Sequence, residues 1–304
     1  MDKRAIWVIA LLFITLVTSP QAFAASSLKV IVSFSVIEDL VKRVAGNDVR
    51  ITTIVPIGED VHRWELTPPN VLAIEEADII FYNGFGLEPW IRHVEAMADD
   101  GLTLTALAEK ADYTPLAIMT GQYKGSPDPH MWMDPKGAAA YIDVIAQTLI
   151  EHYPEKAEAF NARAEEAHEA LALLDQRLQE RLQGIPQTNR VLYTSEAGMS
   201  YFAQAYQFEY ASIWGVNHET LGSAQAMESM SRRLTEKRPP ALFYESTVPF
   251  IHMDSLARET GIKLGGPLYV DTLGEPDGPA YNYPAMLRHN AEQLHEALGG
   301  ARAE

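Results

Sequence analysis

Residues 155–183 read EKAEAFNARAEEAHEALALLDQRLQERLQ, a segment rich in Ala, Glu, Leu, Gln and Arg with no Gly or Pro until Gly184. This composition predicts one helix of about 28 residues, which would be about 42 Å long at a rise of about 1.5 Å per residue. An ordinary surface helix and a coiled-coil pairing segment have similar sequences. A helix this long seldom belongs inside a small α/β domain, so we interpret residues 153–184 as a connector between two domains.

On both sides of the connector, short β-branched runs alternate with segments of helical apolar spacing. The predicted strands are Leu28–Val32, Ile51–Val55, Asp78–Tyr82, Arg190–Thr194, Tyr210–Trp214, Ala241–Tyr244 and the extended Lys263–Val270, with weaker candidates in Leu102–Met119. The predicted helices are Val36–Ala45, Pro69–Glu76, Trp90–Ala98, Pro135–His152, Met199–Tyr206, Ala224–Lys237, Met253–Thr260 and Tyr283–Leu298. This alternation predicts an α/β fold with two lobes of mainly parallel sheets, an N-terminal lobe over 25–152 and a C-terminal lobe over 185–304.

The N-terminus has the pattern of an export signal. Lys3 and Arg4 precede the apolar run Ala5–Val17, which is too short to span a bilayer of about 20 helical residues. Small residues at Ala22 and Ala24 fit a signal-peptidase site, so we expect residues 1–24 to be a signal peptide cleaved after Ala24. An uncleaved anchor is the alternative. The sequence contains no cysteine for lipid attachment, so the expected product is a periplasmic protein that is not a lipoprotein.

Composition and charge exclude several classes of function. The chain has 304 residues and a formal net charge of −17, which argues against nucleic acid as a partner and suits a protein that meets cations. The absence of cysteine excludes disulfides, thiolate metal ligands and cysteine nucleophiles. We find no P-loop, no dinucleotide-binding glycine motif, no G-x-S-x-G elbow and no H-E-x-x-H motif.

Two histidines lie in unusual loops of the first lobe. His62 lies in PIGEDVHRWELTPP (56–69), directly after a predicted strand, and His130 lies in DPHMWMDP (128–135) between two Asp-Pro turns. Open α/β sheets bind ligands at the carboxyl ends of their strands, and neutral imidazole is the commonest metal-ligand side chain. One loop histidine alone is more often a surface residue. The other histidines are His93, His152, His168, His289 and His295 on predicted helices, where we expect surface positions, and His218 and His252 in loops without supporting features.

The second lobe has carboxylates at comparable positions. Glu196 follows the predicted strand Arg190–Thr194, and Asp271 follows Lys263–Val270. Each acid is either a helix N-terminal residue or a metal ligand. Glu245, in FYEST, is interpreted as a structural or supporting group.

Together these motifs resemble the metal-binding solute receptors of bacterial ABC importers, the cluster A-I group that captures manganese, iron or zinc. The resemblance rests on Pro56-x-Gly58-x-Asp60-x-His62 with Glu65 and Pro68, on 77–90, on 128–135, on the connector, and on 194–196, 245–247 and 269–273. It implies a non-enzymatic, monomeric receptor that holds a divalent metal between its lobes and delivers it to a membrane permease with its ATPase subunit.

By motif, the resemblance implies the metal ligands His62, His130, Glu196 and Asp271, with Glu65 and Glu245 as supporting groups. The chain departs from the family pattern at Val61, where proline is usual, and at Asn70, where an acid is frequent.

The transported metal is expected to be Mn²⁺ or Fe²⁺. Zinc receptors of this family commonly have histidine at the position of Glu196 and a histidine-rich loop before the second ligand, whereas 113–127 contains no histidine. A zinc receptor is the alternative, because nitrogen and oxygen ligands also accept Zn²⁺. A metal-dependent hydrolase is a distant alternative, because two histidines and two carboxylates also occur in hydrolytic sites, and an adhesin is a further one.

Overall fold

The computed structural model describes residues 28–99, 101–121, 123–216 and 223–299. The predicted signal peptide (1–24) and His218 lie outside the described residues. The strands are β1 (Leu28–Val32), β2 (Val49–Thr53), β3 (Ile79–Tyr82), β4 (Thr103–Ala106), β5 (Val191–Thr194), β6 (Glu209–Ser212), β7 (Ala241–Leu242) and β8 (Lys263–Leu264). The helices are α1 (Ser35–Ala45), α2 (Pro68–Glu75), α3 (Ile91–Met97), α4 (Leu107–Lys110), α5 (Pro135–His152), α6 (Ala157–Gln183), α7 (Ser200–Ala205), α8 (Ala224–Lys237), α9 (Ile251–Thr260) and α10 (Tyr283–Ala297).

The N-terminal lobe is built on a four-stranded parallel sheet in the order β2-β1-β3-β4. Parallel neighbours need a crossover connection, which helices supply between these strands. The strands β1 and β3 lie in the middle and are nearly all apolar, as expected for a sheet covered on both faces. Because the strands are parallel, the loops that follow β2 and β4 begin at the same edge of the sheet, where the strands have their carboxyl ends.

The C-terminal lobe contains two parallel pairs, β5-β6 and β7-β8. The backbone N–H of Phe243 donates to the carbonyl of Tyr193 at 3.0 Å, which brings β7 beside β5. All strand pairs in the described residues are therefore parallel, apart from one isolated antiparallel bridge between Ala117 and Pro127. The predicted fold class of two α/β lobes agrees with this arrangement.

The long helix α6 packs against both lobes. One stripe of its surface is buried, at residues that repeat every three or four positions: Phe160, Ala164, Ala167, Leu171, Leu174, Leu178 and Leu182. Its first half lies on α1 and α5, and Arg163 donates to the carbonyl of Val44. Its second half lies on α10, where Arg181 pairs with Glu292. A single buried core consequently runs from the first sheet through α6 to α10, beside a smaller core in the second lobe.

Several predicted elements have other bounds in the structure; for example, the strands predicted at 210–214 and 241–244 lie at 209–212 and 241–242. The second strand lies at 49–53 instead of 51–55, and only 103–106 of the weak candidates in 102–119 form a strand. The predicted extended segment 263–270 pairs only at Lys263–Leu264, since Gly266 has a φ of +99° and Pro267 has no backbone N–H to donate. The chain resumes pairing at Leu268, which bridges Glu245. In the described part of the chain, no helix has the length and apolar character that crossing a bilayer requires.

Candidate metal centre

His62 lies in a one-turn 3-10 helix, Val61–Arg63, in the loop after β2. The Asp60 side chain caps this turn by accepting the backbone N–H of His62 at 2.9 Å. A short acidic residue two positions before a buried histidine therefore fixes the backbone from which the imidazole projects.

His130 lies directly before another 3-10 turn, Met131–Met133, in the segment that leads into α5. The carboxylate oxygen Oδ1 of Asp128 accepts both the backbone N–H of His130 at 3.0 Å and its ring Nδ1 at 2.8 Å. With Nδ1 donating to Asp128, the Nε2 atom of His130 is the one that faces the site. This carboxylate–histidine pair is the arrangement that orients imidazole ligands in metal proteins.

The two histidines meet Asp271 of the other lobe. The Nε2 atom of His62 lies 3.5 Å from Asp271 Oδ2, and the Nε2 atom of His130 lies 3.5 Å from Asp271 Oδ1. One ligand atom from each of the three residues lies within 4.8 Å of the other two, and all three side chains are buried. Two imidazole nitrogens and one carboxylate converging in a buried space form a donor set suited to a first-row divalent metal.

The electrostatics of the three side chains are strongly coupled. Burial alone would lower the pKa of His62, but the Asp271 carboxylate outweighs it and raises this pKa to about 9. Burial opposes protonation of His130 too, but hydrogen bonds to Asp128 and Asp271 raise its pKa to about 10. Burial would raise the pKa of Asp271, yet the two imidazoles hold it well below its usual range. Without a metal, protons therefore supply the positive charge that balances Asp271.

Glu196 is buried on the turn after β5, as its predicted role requires, but it lies outside the group of three close ligand atoms. Its negative charge nevertheless contributes to raising the pKa of His62. Glu245 holds this turn: it accepts the Ser195 hydroxyl and the backbone N–H of Glu196, the latter at 3.3 Å. Burial raises the pKa of Glu245 to about 8. Glu245 thus contacts the backbone of Glu196, which fits the predicted supporting role.

Glu65 occupies a different environment from Glu245. Its side chain is exposed and lines a cavity that His62 also lines. Within the described residues, no hydrogen bond or ion pair joins Glu65 to His62, His130 or Asp271. No hydrogen bond or ion pair to these three residues therefore supports the predicted role of Glu65.

Hydrogen bonds that need no metal hold the three ligand segments together. The indole N–H of Trp132 donates to the carbonyl of Val270 at 2.9 Å, which joins the His130 loop to the residue before Asp271. The backbone N–H of Gly58 donates to the Thr272 hydroxyl at 2.9 Å, which joins the His62 loop to the residue after Asp271. Both bonds cross between the lobes and set the ligand geometry.

A buried polar network supports the His130 loop from the side of the first sheet. The Asn83 amide donates to the carbonyl of Pro129 at 2.9 Å, and its oxygen accepts the Tyr141 hydroxyl at 2.6 Å. Glu88 accepts the backbone N–H of Asn83 at 2.7 Å, and burial raises the pKa of Glu88 to about 7. Sequence reasoning missed Asp128 and Asn83 as supporting residues. The Asp128-Pro129-His130 spacing could have indicated the former, whereas the role of Asn83 depends on a contact 46 residues away along the chain.

Comparison with known proteins identifies the group to which this site belongs. Residues 30–297 match the profile of the family described as ZnuA, zinc-uptake complex component A, periplasmic. The chain belongs to the ZnuA family. The predicted resemblance to metal-binding receptors and the predicted two-lobe fold are confirmed, and the family description agrees with an extracytoplasmic receptor.

Proteins that are similar to this chain are named after several different metals. The iron-binding protein YfeA of Yersinia pestis is 33% identical over 276 residues, covering 90% of this chain and 88% of that protein. The manganese-binding lipoprotein MntA of Halalkalibacterium halodurans is 31% identical over 271 residues, covering 89% and 88%. The periplasmic zinc-binding protein TroA of Treponema pallidum has a similar structure, with a TM-score of 0.83, 27% identity and coverage of 90% and 99%. A Mn-bound periplasmic metal-binding protein of Candidatus Liberibacter asiaticus gives a TM-score of 0.80, 28% identity and coverage of 88% and 98%.

Proposed function

We infer that this ZnuA-family protein is the receptor of an ABC importer and captures one divalent transition metal with His62, His130, Glu196 and Asp271. The observation that carries the proposal is the convergence of three buried ligand atoms within 4.8 Å, from loops of both lobes. The buried carboxylate of Glu196 would complete the set and would make the bound dication formally neutral with Asp271. A membrane permease with its ATPase subunit would receive the metal.

Mn²⁺ or Fe²⁺ is the proposed cargo, and Zn²⁺ is the alternative. Glu196 replaces a third histidine with a harder oxygen ligand, which favours metals that accept higher coordination numbers. The manganese and iron names of MntA and YfeA support the same choice, while TroA and the family description support zinc. Zn²⁺ binds nitrogen and oxygen sites at least as tightly as Mn²⁺ at equilibrium, so ligand type alone does not exclude it.

The proposed form of the receptor is a free, monomeric, non-enzymatic periplasmic protein of two lobes, 25–152 and 185–304, joined by the connector 153–184 after cleavage behind Ala24. Several relatives are named lipoproteins. The printed sequence contains no cysteine, which is the residue that lipid attachment at an export signal would need.

Thermal unfolding of the exported, chelator-stripped protein tests the metal assignment. At a metal concentration of about a thousand times Kd, binding stabilises the folded state by about 4.1 kcal/mol, which for a protein of this size is on the order of ten degrees in Tm. We expect this shift to be lost in His62→Ala and strongly reduced in Glu196→Ala, with His152→Ala, on α5, as the control histidine. Ranking Mn²⁺, Fe²⁺ and Zn²⁺ at limiting concentration tests the choice of cargo. The absence of a shift with all three metals would refute the receptor assignment.

A further inference from the structure

A second concave site lies beside the metal centre. A cavity of about 720 Å³ opens between the 3-10 turn that carries His62 and the segment that contains α3. This volume lies within the range of about 300–1,000 Å³ that is typical of small-molecule sites. The side chains of Trp64 and Trp90 form part of its wall, together with aliphatic groups. Trp64 is partly exposed and Trp90 is 3% exposed, so the indole of Trp64 offers most of the flat apolar surface for an aromatic ring.

Two arginines line the cavity, although the protein as a whole is acidic. Arg63 and Arg92 line it, and their guanidinium groups make no hydrogen bond or ion pair with any described residue. Arg43, Arg163 and Arg181, by contrast, pair with carboxylates. Two guanidinium groups without partners repel a free metal cation, and their planar donors match a carboxylate.

One acid and two histidines complete the charged and titratable lining, and one of these histidines is His62 of the metal centre. Glu65 provides a single carboxylate against the two guanidinium groups, and His93 provides an exposed imidazole. A ligand hydroxyl at the end of the ring away from its carboxylate could donate to Glu65. The cavity therefore combines aromatic walls, an anion-binding pair and one hydrogen-bond acceptor.

We propose that this cavity binds a small aromatic carboxylate, with its ring against Trp64 and its carboxylate on Arg63 and Arg92. This site goes beyond the proposed metal capture: His62 shares a wall of the cavity, but the proposed ligand would lie on Arg63, Arg92 and Trp64. Its occupant is an anion, whereas the cargo of the metal centre is a cation.

Calorimetric titration of the chelator-stripped full chain with 4-hydroxybenzoate tests the proposal. This probe has its carboxylate and hydroxyl at opposite ends of the ring, so it cannot chelate a metal through both groups. We expect saturable binding, at least tenfold weaker binding of the uncharged 4-hydroxybenzamide, and a loss of tenfold or more in the double variant Arg63→Gln/Arg92→Gln. Arg177→Gln is the matched control, because Arg177 is exposed on α6 and has no ion pair with the described residues.

The metal-induced Tm shift separates this proposal from the metal assignment. We expect the double variant to keep that shift, which also shows that it is folded. Absence of saturable 4-hydroxybenzoate binding, equal affinity for the amide, or unchanged affinity in the double variant would overturn the proposed site while leaving the metal centre untouched. Loss of the metal shift in the wild-type protein would overturn the metal assignment alone.

Discussion

Replacing Asp128 with alanine should weaken metal binding without removing a ligand. Asp128 is 1% exposed, and one of its carboxylate oxygens accepts two hydrogen bonds from His130. The substitution releases the ring Nδ1 and the backbone of His130 together. The imidazole of His130 then loses its fixed orientation, and it also loses the negative charge of Asp128 that increases its basicity.

The expected magnitude follows from the kind of contact that is lost. Removing a carboxylate that orients a metal-bound histidine typically costs about 10- to 100-fold in metal affinity. At a metal concentration of about a thousand times the wild-type Kd, stabilisation by metal should fall from about 4.1 kcal/mol to between about 2.7 and 1.4 kcal/mol. The corresponding metal-induced shift in Tm should fall to between about two thirds and one third of the wild-type value.

The assay compares each variant with its own metal-free form, because losing buried hydrogen bonds also lowers the stability of the empty protein. Asp143→Ala is the matched control: Asp143 accepts His168 Nε2 at 2.7 Å in a similar acid–histidine contact on the surface between α5 and α6. That control should keep the full metal-induced shift. A full shift in Asp128→Ala would show that His130 needs no orienting carboxylate, and the reasoning would be wrong.

Four further predictions concern protons and the bonds that hold the loops. With the pKa of His62 raised to about 9 and that of His130 to about 10, both imidazoles carry protons at pH 7 in the metal-free site. Metal binding should therefore release about two protons, weaken as pH falls, and give a buffer-dependent enthalpy in calorimetry; no dependence on the buffer would contradict this. Because the pKa values of both histidines in the folded protein lie above the ordinary value of about 6.5, the metal-free protein should lose stability as pH rises from about 6.5 through 9 and 10. Thermal melts at several pH values would measure this loss. Asn83→Ala removes one of the two donors to the carbonyl before His130 and leaves the buried Tyr141 hydroxyl without its acceptor. Urea unfolding should therefore show a loss of about 1–3 kcal/mol, and metal melts a smaller shift; unchanged stability would remove Asn83 from the network. Trp132→Phe removes the donor to the Val270 carbonyl, so the free energy of unfolding of the metal-free protein should fall by about 1–3 kcal/mol and its Tm should fall with it. An unchanged Tm would mean that this bond does not hold the lobes together.

Local chemistry explains which elements could be predicted from the sequence. The helix 135–152 begins and ends where the sequence indicates, because Asp134 caps it and Pro135 suits its first turn. The long helix was predicted within two residues, since the segment between Pro154 and Gly184 contains no Gly or Pro and consists mostly of Ala, Glu, Leu, Gln and Arg. The extended segment predicted at 263–270 is longer than the strand in the structure. Its apolar residues suggested a strand, but its glycines and proline interrupt the pairing.

The candidate site was predictable in its residue types and less so in its contacts. His62 and His130 attracted attention because each lies in an acidic, proline-bounded loop, which is a local signal. Their meeting with Asp271 depends on packing across more than 140 residues of chain, and only the family resemblance predicted it. Glu65 was assigned a supporting role from its motif, yet the loop turns its side chain outward, and no sequence pattern distinguishes these two directions.

The hydrogen bonds around Asp271 have a consequence for the energetics of metal capture. Trp132 and Gly58 fix the residues on either side of Asp271 without any metal, and Asp128 fixes His130 in the same way. Ligands that are already held in place lose little conformational entropy when the metal binds, so most of the coordination energy appears as affinity. An opposing cost is the loss of the protons that balance Asp271, because two imidazoles with raised pKa values must be deprotonated first. Metal capture by this protein should therefore respond to pH, with an affinity that falls as pH falls.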